Sequence, residues 1–523
     1  MKTKLLFILL LAFSLNILYS QTTPISDPIF EQALIDLTID TNGLNGNILN
    51  SDASIVTSLD VGGLGITNLS GIEAFTSLQT LSCDNNNIVM LDLRSNTNLT
   101  HVYCYYNSLT SLLLPNSNTL EQLEFYNNFL TSIDLTPYSN LTFLRSYNNP
   151  TLGSLDVSDS PNLQYLYCQN NGLNSLDVSQ NPNLEILDCY NNNLMTLDVS
   201  NNLALWRLWC QDNNIDVLDV EQNVLLQTLY CYLNDMTSLS LPTTVTLTNL
   251  RCQANDLPSL DASGLTGLQN LRCFNNPNMT TLLLPPTNSL TYVDCDTTDI
   301  STLDASSLMN LNYLDVYYCY SLTNLMLPPT TALETLWAYS TGLSDLDFTS
   351  NTGLLTLDIA NGNFTSIDVS MLDNLLYFWC NQSDNLTSLN LKNGNNHNMP
   401  TMNSQQSPLL ACIEVDNPAL AETYGGWTID NWTDYMVTCP PLSTDKFNLS
   451  SISIYPNPTK DVFEINMMID ADYKLISLQG QQILEGTFKQ GLNTLDVSTV
   501  SNGIYLLNFK NDLGSFSKKL VKN

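Results

Sequence analysis

The stretch LYCQNNGLNSLDVSQNPNLEILDCYNNNLMTLDVS, residues 166–200, repeats one phrase. Cys168 and Cys189 stand 21 residues apart, each two places after a leucine and three before an asparagine. Outward from this pair the same column holds Cys83, Cys104, Phe125, Ser146, Cys210, Cys231, Cys252, Cys273, Cys295, Val316, Ala338, Ile359 and Cys380, always 21 or 22 residues apart. A fixed period of this length predicts a solenoid, in which each coil covers the apolar edge of the next.

The unit reads L-x-x-L-x-C-x-x-N-x-L-x-x-L-D-V-S-x-N-P-x. In L-x-C the leucine and the cysteine alternate with outward residues, so both point inward. The column accepts Cys, Val, Ala, Ile and Phe, which suits a small buried hydrophobe better than a ligand. Coils stacked ~4.8 Å apart hold in-register side chains in a geometry that disfavours disulfides, so free thiols are expected. No CxxC-type cluster offers a zinc site. An asparagine column runs unbroken through Asn86, Asn107, Asn128, Asn149, Asn171, Asn192, Asn213, Asn234, Asn255 and Asn276, then gives way to Thr298, Cys319 and Ser383. An inward asparagine at a bend is expected to satisfy the backbone of its own turn and of the next coil. The aspartates of LDVS (Asp92, Asp134, Asp156, Asp177, Asp198, Asp219) also stack. They are read as acceptors for turn amides rather than as a calcium stripe.

This unit resembles the leucine-rich repeat, whose L-x-x-L-x-L-x-x-N/C-x-L it follows almost column by column over about 60–400. Cys319 in the asparagine column fits that family's N/C alternation. The unit is also nested, since L-x-x-L-x-C-x-x-N is followed by L-x-x-L-D-V-S-x-N. Two similar half-coils imply a flattened coil with strands on both faces and little helix. The expected fold is mainly β: a leucine-rich-repeat solenoid of about fifteen 21-residue coils over 59–400.

Both open ends of such a stack need covers. DPIFEQALIDLTID carries Phe30, Leu34 and Leu37 at helical spacing, with Asp27 as cap and Pro28 in the first turn, so 21–58 is expected to form a helical N-terminal cap. Residues 401–440 are expected to close the other end. Cys412 and Cys439 lie there, outside the ladder, and are expected to form a disulfide. That leaves eleven of the thirteen cysteines, an odd number that argues against pairing the rest.

The N-terminus, MKTKLLFILLLAFSLNILYSQ, has a basic start and a short apolar run and reads as a signal peptide over 1–20. No later stretch is long and apolar enough to span a bilayer, so no transmembrane segment is expected in the mature chain. Net charge is −34, which disfavours nucleic acid and anionic lipid as partners. Eight lysines fall in the last 78 residues, a composition shift that places a linker at 441–448. Residues 449–523 alternate short strands with turns, as in a small β-sandwich. This tail resembles the type A sorting domain of the type IX secretion system of Bacteroidetes. The resemblance rests on Tyr455, Pro456, Asn457 and Pro458, the turn at Gly480, NGIYLL with Gly503 and Tyr505, and the closing KKLVKN with Lys518 and Lys519. It implies that the secretion machinery carries the chain across the outer membrane, to be secreted or held at the cell surface.

Residues flanking the cysteine column point outward. They include Tyr103, Tyr167, Trp209, Tyr230, Trp337 and Trp379 before it, and Tyr105, Tyr126, Tyr147, Tyr190, Tyr232, Phe274, Tyr317 and Tyr339 after it. That is 14 aromatics in 30 positions, against 9% in the whole chain. Phe143, Tyr165, Tyr292, Tyr313 and Tyr377 widen the patch. Aromatic residues favour strands for packing alone, but Tyr and Trp also make rigid amphipathic contact area for proteins or sugar rings. Glu124, Arg145, Asp188, Arg251, Arg272, Asp294, Asp315 and Asp358 interrupt the stripe. Among them Arg251 and Arg272 suit an anionic group. The expected function is binding of a protein partner, with adhesion included, through this face; a surface glycan is the alternative ligand. The two histidines, His101 and His397, are far apart, and no nucleophile or phosphate-loop motif is present. The chain is therefore read as no enzyme, needing no cofactor. A remote alternative is a hydrolase, or a calcium site, using Asp294, Asp296 and Asp315.

Overall fold

The computed structural model describes residues 21–136, 138–440, 452–467, 470–478, 480–511 and 514–523. The expected signal peptide and linker lie outside the described residues. The chain divides into two compact units between Val437 and Thr438.

In the first unit each coil contributes one short parallel strand, paired in register. Leu166 lies opposite Leu187, and Leu187 opposite Leu208. The pairing runs from Ser58–Asp60 to Trp427–Thr428 through eighteen strands as an open ladder. The fifteen coils read from the repeat supply the strands from Thr80–Ser82 to Tyr377–Trp379. Ser58–Asp60 adds one strand before them, and Thr401–Asn403 and Trp427–Thr428 add two after. These three were hidden because their coils lack the cysteine phrase. A second set of strands forms at the LDVS half of the coil, as in Val217–Asp219 with Ser238–Ser240, and makes the expected flattened cross-section. Among the described residues the α-helices are Pro28–Asp36, Asn50–Ala53 and Pro418–Ala421, all outside the regular repeats.

The core is one continuous stack. Leu166, Leu187, Leu208, Leu229 and every cysteine of the column are fully buried. The cysteines are free thiols, and burial pushes those of Cys210 and Cys252 up to about 12. They are chemically quiet packing groups. Stacking is tight enough that a Cβ at Gly353 would overlap the Thr331 carbonyl of the preceding coil.

Asn213 shows how the turns are held. Its amide N–H groups donate to the carbonyls of Cys210 and Cys189, both at 3.1 Å, and its Oδ1 accepts from Leu194 N–H at 3.0 Å. Cys189 and Leu194 belong to the preceding coil, so the ladder reaches backwards rather than to the next coil as expected. Where the column changes, Thr298 donates to the Cys295 carbonyl at 2.9 Å, and the Cys319 thiol donates to the same carbonyl at 3.3 Å. Two residues after each position of the cysteine column the backbone turns left-handed, as at Asn191 with φ 52° and, after Val316, at Tyr318 with φ 57°. Asparagine tolerates this conformation better than bulky residues do.

Asp27 caps the helix Pro28–Asp36 and also accepts from Thr67 and Asn68, tying the helix to the first coils. Phe30 and Leu34 are buried, but Leu37 lies past the helix end and is exposed. At the other end Cys412 and Cys439 are disulfide-bonded, as expected.

The second unit is a sandwich of two antiparallel sheets. One holds Ser453–Tyr455, Val462–Met467 and Gly491–Asp496; the other holds Gln482–Phe488, Ala471–Ser477, Gly503–Asn511 and Gly514–Lys522. Phe463, Ile465, Leu475, Phe488, Leu507 and Phe509 fill its core.

Candidate functional site

Register brings the outward residues of successive strands side by side. Tyr103, Tyr165, Tyr167, Tyr190, Tyr232, Phe274 and the other aromatics expected on the face are all half-buried, apart from Tyr377, which is exposed. They form separate groups rather than one stripe. Tyr105, Tyr126 and Tyr147 stack with centroids 4.5 and 4.3 Å apart. Trp209 stacks on Tyr230 at 5.1 Å, and Tyr292 on Tyr313 at 4.4 Å. Tyr317 stacks on Tyr339 at 4.8 Å, and Trp337 reaches Trp379, two strands away, at 5.6 Å. Among the described residues Phe274 joins no ring pair.

Arginines cover several of these rings. The Arg207 guanidinium lies 3.5 Å from the Trp209 ring centroid, Arg251 lies 4.5 Å from that of Tyr230, and Arg272 lies 4.9 Å from that of Tyr292. Arg207 also pairs with the buried Asp188, and Arg145 pairs with Glu124 at 3.3 Å.

The acidic groups of the face sit in an unfavourable place for charge. Burial pushes Asp294 up to about 7, helped by the charges of Asp315 and Asp296 and opposed by Arg272. Burial likewise raises Asp315 and Asp358 to about 6. Asp188 also rises to about 6, with burial outweighing Arg207. One carboxylate oxygen each of Asp294, Asp296 and Asp315 lie within 4.8 Å of one another. The Tyr313 hydroxyl donates to Asp315 at 3.0 Å, and the Tyr292 hydroxyl contacts Asp294 at 3.4 Å. Of the candidates for a metal, these three carboxylates are the ones the fold brings together.

Residues 453–523 match the family described as the secretion system C-terminal sorting domain. The chain is similar to the functional domain of InlJ from Listeria monocytogenes, which includes a cysteine ladder. Identity is 24%, the match covers 96% of this chain and 99% of that one, and the TM-score is 0.53. A leucine-rich-repeat protein of Leptospira interrogans matches at 18% identity over 73% of this chain and 97% of its own, with TM-score 0.45. The Arabidopsis receptor kinase HAESA, solved with a peptide hormone and a co-receptor, matches at 17% identity over 73% of this chain and 75% of its own, with TM-score 0.49. No curated protein matches the chain.

The first unit has the leucine-rich-repeat fold, and the tail matches a secretion system sorting domain.

In the matched tail, the two ends of the sorting motif meet. The Asn457 side chain donates to the Lys519 carbonyl at 3.0 Å and accepts from Val521 N–H at 2.9 Å. Thr459 N–H donates to the Val521 carbonyl at 3.0 Å, and the Tyr505 hydroxyl donates to the Ser501 carbonyl at 2.7 Å. Gly480 holds φ 84° in its turn. Tyr455 is exposed, Lys519 is exposed and Lys518 half-buried. Pro456 and Pro458 both follow cis peptide bonds, and Gly503 opens the strand that pairs with the closing one. No helix among the described residues is long and apolar enough to cross a membrane.

Two features of the solenoid face were missed from the sequence. Arg207 stands in the outer column shared with Tyr165, Tyr292 and Tyr313, and that shared position was the available signal. Tyr106 and Tyr318 occupy the left-handed turn position, exposed, and make edge contacts with Tyr105 and Tyr126 and with Tyr317 and Tyr339.

Proposed function

We propose that this exported leucine-rich-repeat protein binds a protein partner, in adhesion or as an interaction module, through the aromatic and charged face of its eighteen-stranded sheet. The tail from 449 acts as the address read by the secretion machinery and delivers the chain across the outer membrane, to the surface or the medium. The observation that carries the reading is the half-buried state of the face. Its rings and guanidiniums contact mainly one another, so they present rigid amphipathic area with polar edges outward. We place Asp294 and Asp315 in recognition rather than hydrolysis, because the Tyr292 and Tyr313 hydroxyls already engage them. The Trp337–Trp379 platform supports a second reading, a glycan stacked on flat indoles.

A test is capture of surface proteins and binding to a glycan array by the wild type and by a variant with Tyr190, Trp209, Tyr230 and Tyr232 changed to serine. The proposal expects protein capture that the folded variant loses and that 0.5 M salt weakens. Capture unchanged in the variant overturns this patch as the site. Array hits that survive salt and depend on Trp337 and Trp379 favour the glycan.

A further inference from the structure

Charge on the sheet face is ordered along the stack. On four successive strands the residue just before the inward column is Arg251, Arg272, Asp294 and Asp315, each opposite the next in register. Tyr230 precedes this run and Trp337 follows it on the neighbouring strands. Elsewhere on the face the arginines are neutralised: Arg145 by Glu124, and Arg207 by Asp188. Arg251 and Arg272 have no carboxylate within ion-pair distance among the described residues, in a chain of net charge −34. Two unpaired cations followed by two crowded carboxylates form a bipolar strip with an aromatic wall at each end.

We infer that this strip is a docking site for an extended peptide segment of a protein partner, carrying an acidic side chain over Arg251 and Arg272 and a basic side chain over Asp294 and Asp315. The inference rests on the protein-binding reading of the face and names the chemistry it selects. Charge complementarity fixes the two side chains: guanidiniums take a carboxylate bidentately, and paired carboxylates gain most from a cation that relieves their repulsion. Strand spacing fixes their separation. The centres of the two pairs are two strands apart, ~10 Å at ~4.8 Å per strand. A segment running along the stack crosses strands whose backbone groups are already paired, so it gains nothing from a ladder. Polyproline II needs none, and it returns to the same face every three residues after ~9.3 Å. The recognised pattern is therefore acid and base three residues apart, in either chain direction.

The test uses labelled proline-rich peptides of one length and the full exported chain, read by fluorescence anisotropy. One peptide has Glu and Lys at i and i+3, and a second has them adjacent. A third replaces Glu by Lys. The expected result is at least tenfold tighter binding of the i, i+3 peptide than of the adjacent one, lost in 0.5 M salt. The double variant Arg251→Glu/Arg272→Glu makes the strip wholly acidic and is expected to prefer the Lys/Lys peptide. A switch of preference is a gain that an unfolded variant does not show. Equal binding of the spaced and adjacent peptides, or an unswitched preference in a variant with wild-type circular dichroism, overturns the inference. So does tight binding of a uronic-acid polysaccharide that Asp294→Asn/Asp315→Asn leaves unchanged, since such a ligand uses only the cationic half. If surface-protein capture persists in the arginine variant and fails in the aromatic one, the wider reading stands and this inference falls.

Discussion

The turns of the solenoid and the face of its sheet are built from overlapping residue types with opposite fates. In the turns, polar side chains are absorbed by backbone. Asn213 serves three carbonyls and one N–H, and Asp198 accepts from Ser200 N–H at 2.9 Å. On the face, Asp294 and Asp315 lean on tyrosine hydroxyls, Asp315 also accepts from Tyr317 N–H at 3.0 Å, and Arg251 and Arg272 lie on rings. The same carboxylate is held below its usual range in one region, by the hydrogen bonds from Ser200, and pushed up to about 7 in the other by burial. Hydrogen bonds outweigh burial in the turns; on the face burial outweighs the hydrogen bonds and leaves the carboxylates short of compensating charge.

The largest effect should come from emptying a turn. Removing Asn213 by change to alanine leaves Leu194 N–H without its acceptor, while the Cys189 and Cys210 carbonyls keep Asn192 and Asn234. About 3 kcal/mol of stability should be lost in denaturant unfolding. Asn276→Ala should cost more, about 4 kcal/mol. It ends the run, so the Cys273 carbonyl loses the side-chain donor that Asn276 provides at 2.8 Å, and no asparagine follows to replace it. Equal losses at the two sites would show that the backward reach of the ladder does not carry the stabilisation.

The opposite sign is expected on the face. Asp294→Asn/Asp315→Asn removes two carboxylates whose pKa values are raised first by burial and then by neighbouring carboxylates, Asp315 and Asp296 acting on Asp294 and Asp296 on Asp315. In the unfolded chain they ionise near 4, and in the folded chain near 7 and 6. Between those values the folded state binds more protons, so the wild type loses stability as pH rises from about 4 to 7. The variant should gain about 2 kcal/mol at pH 8, reduced from the full shift because water screens the partly open face, and nothing at pH 3.5. A loss at pH 8 would mean that the aspartates are structural and would remove the acidic half of the docking strip.

Much of this contrast could be read before any coordinates. Repetition exposed the cysteine and Asn86–Asn276 columns, because burial in a stack imposes one residue type at one position. The aspartates of LDVS could likewise be assigned to turn amides. The bend beside them was less legible: Asn181, Asn202 and Asn223 form a second buried ladder, donating to carbonyls such as those of Val178 and Asn181 in the preceding coil. Ser160 interrupts that column, so it looked like ordinary turn composition. On the face, aromatic enrichment was visible. The pairing of Arg207 with Asp188, which leaves Arg251 and Arg272 as the unpaired arginines, required the register and side-chain directions that stacking alone sets.

The smallest effect sharpens the turn side of the comparison. Asp198→Asn keeps an acceptor for Ser200 N–H but removes the charge that makes that bond strong. Asp198 has a lowered pKa, so its contribution is present above about pH 4 and fades as pH falls through its folded value. Thermal unfolding should therefore drop by about 1 °C at pH 7 and by nothing at pH 2. The face variant behaves the other way, gaining at high pH and matching the wild type at low pH. Measured together, the two curves should diverge from a common point in acid. Curves moving in the same direction would mean that the two sets of aspartates share one environment, and the division between turn and face would fail.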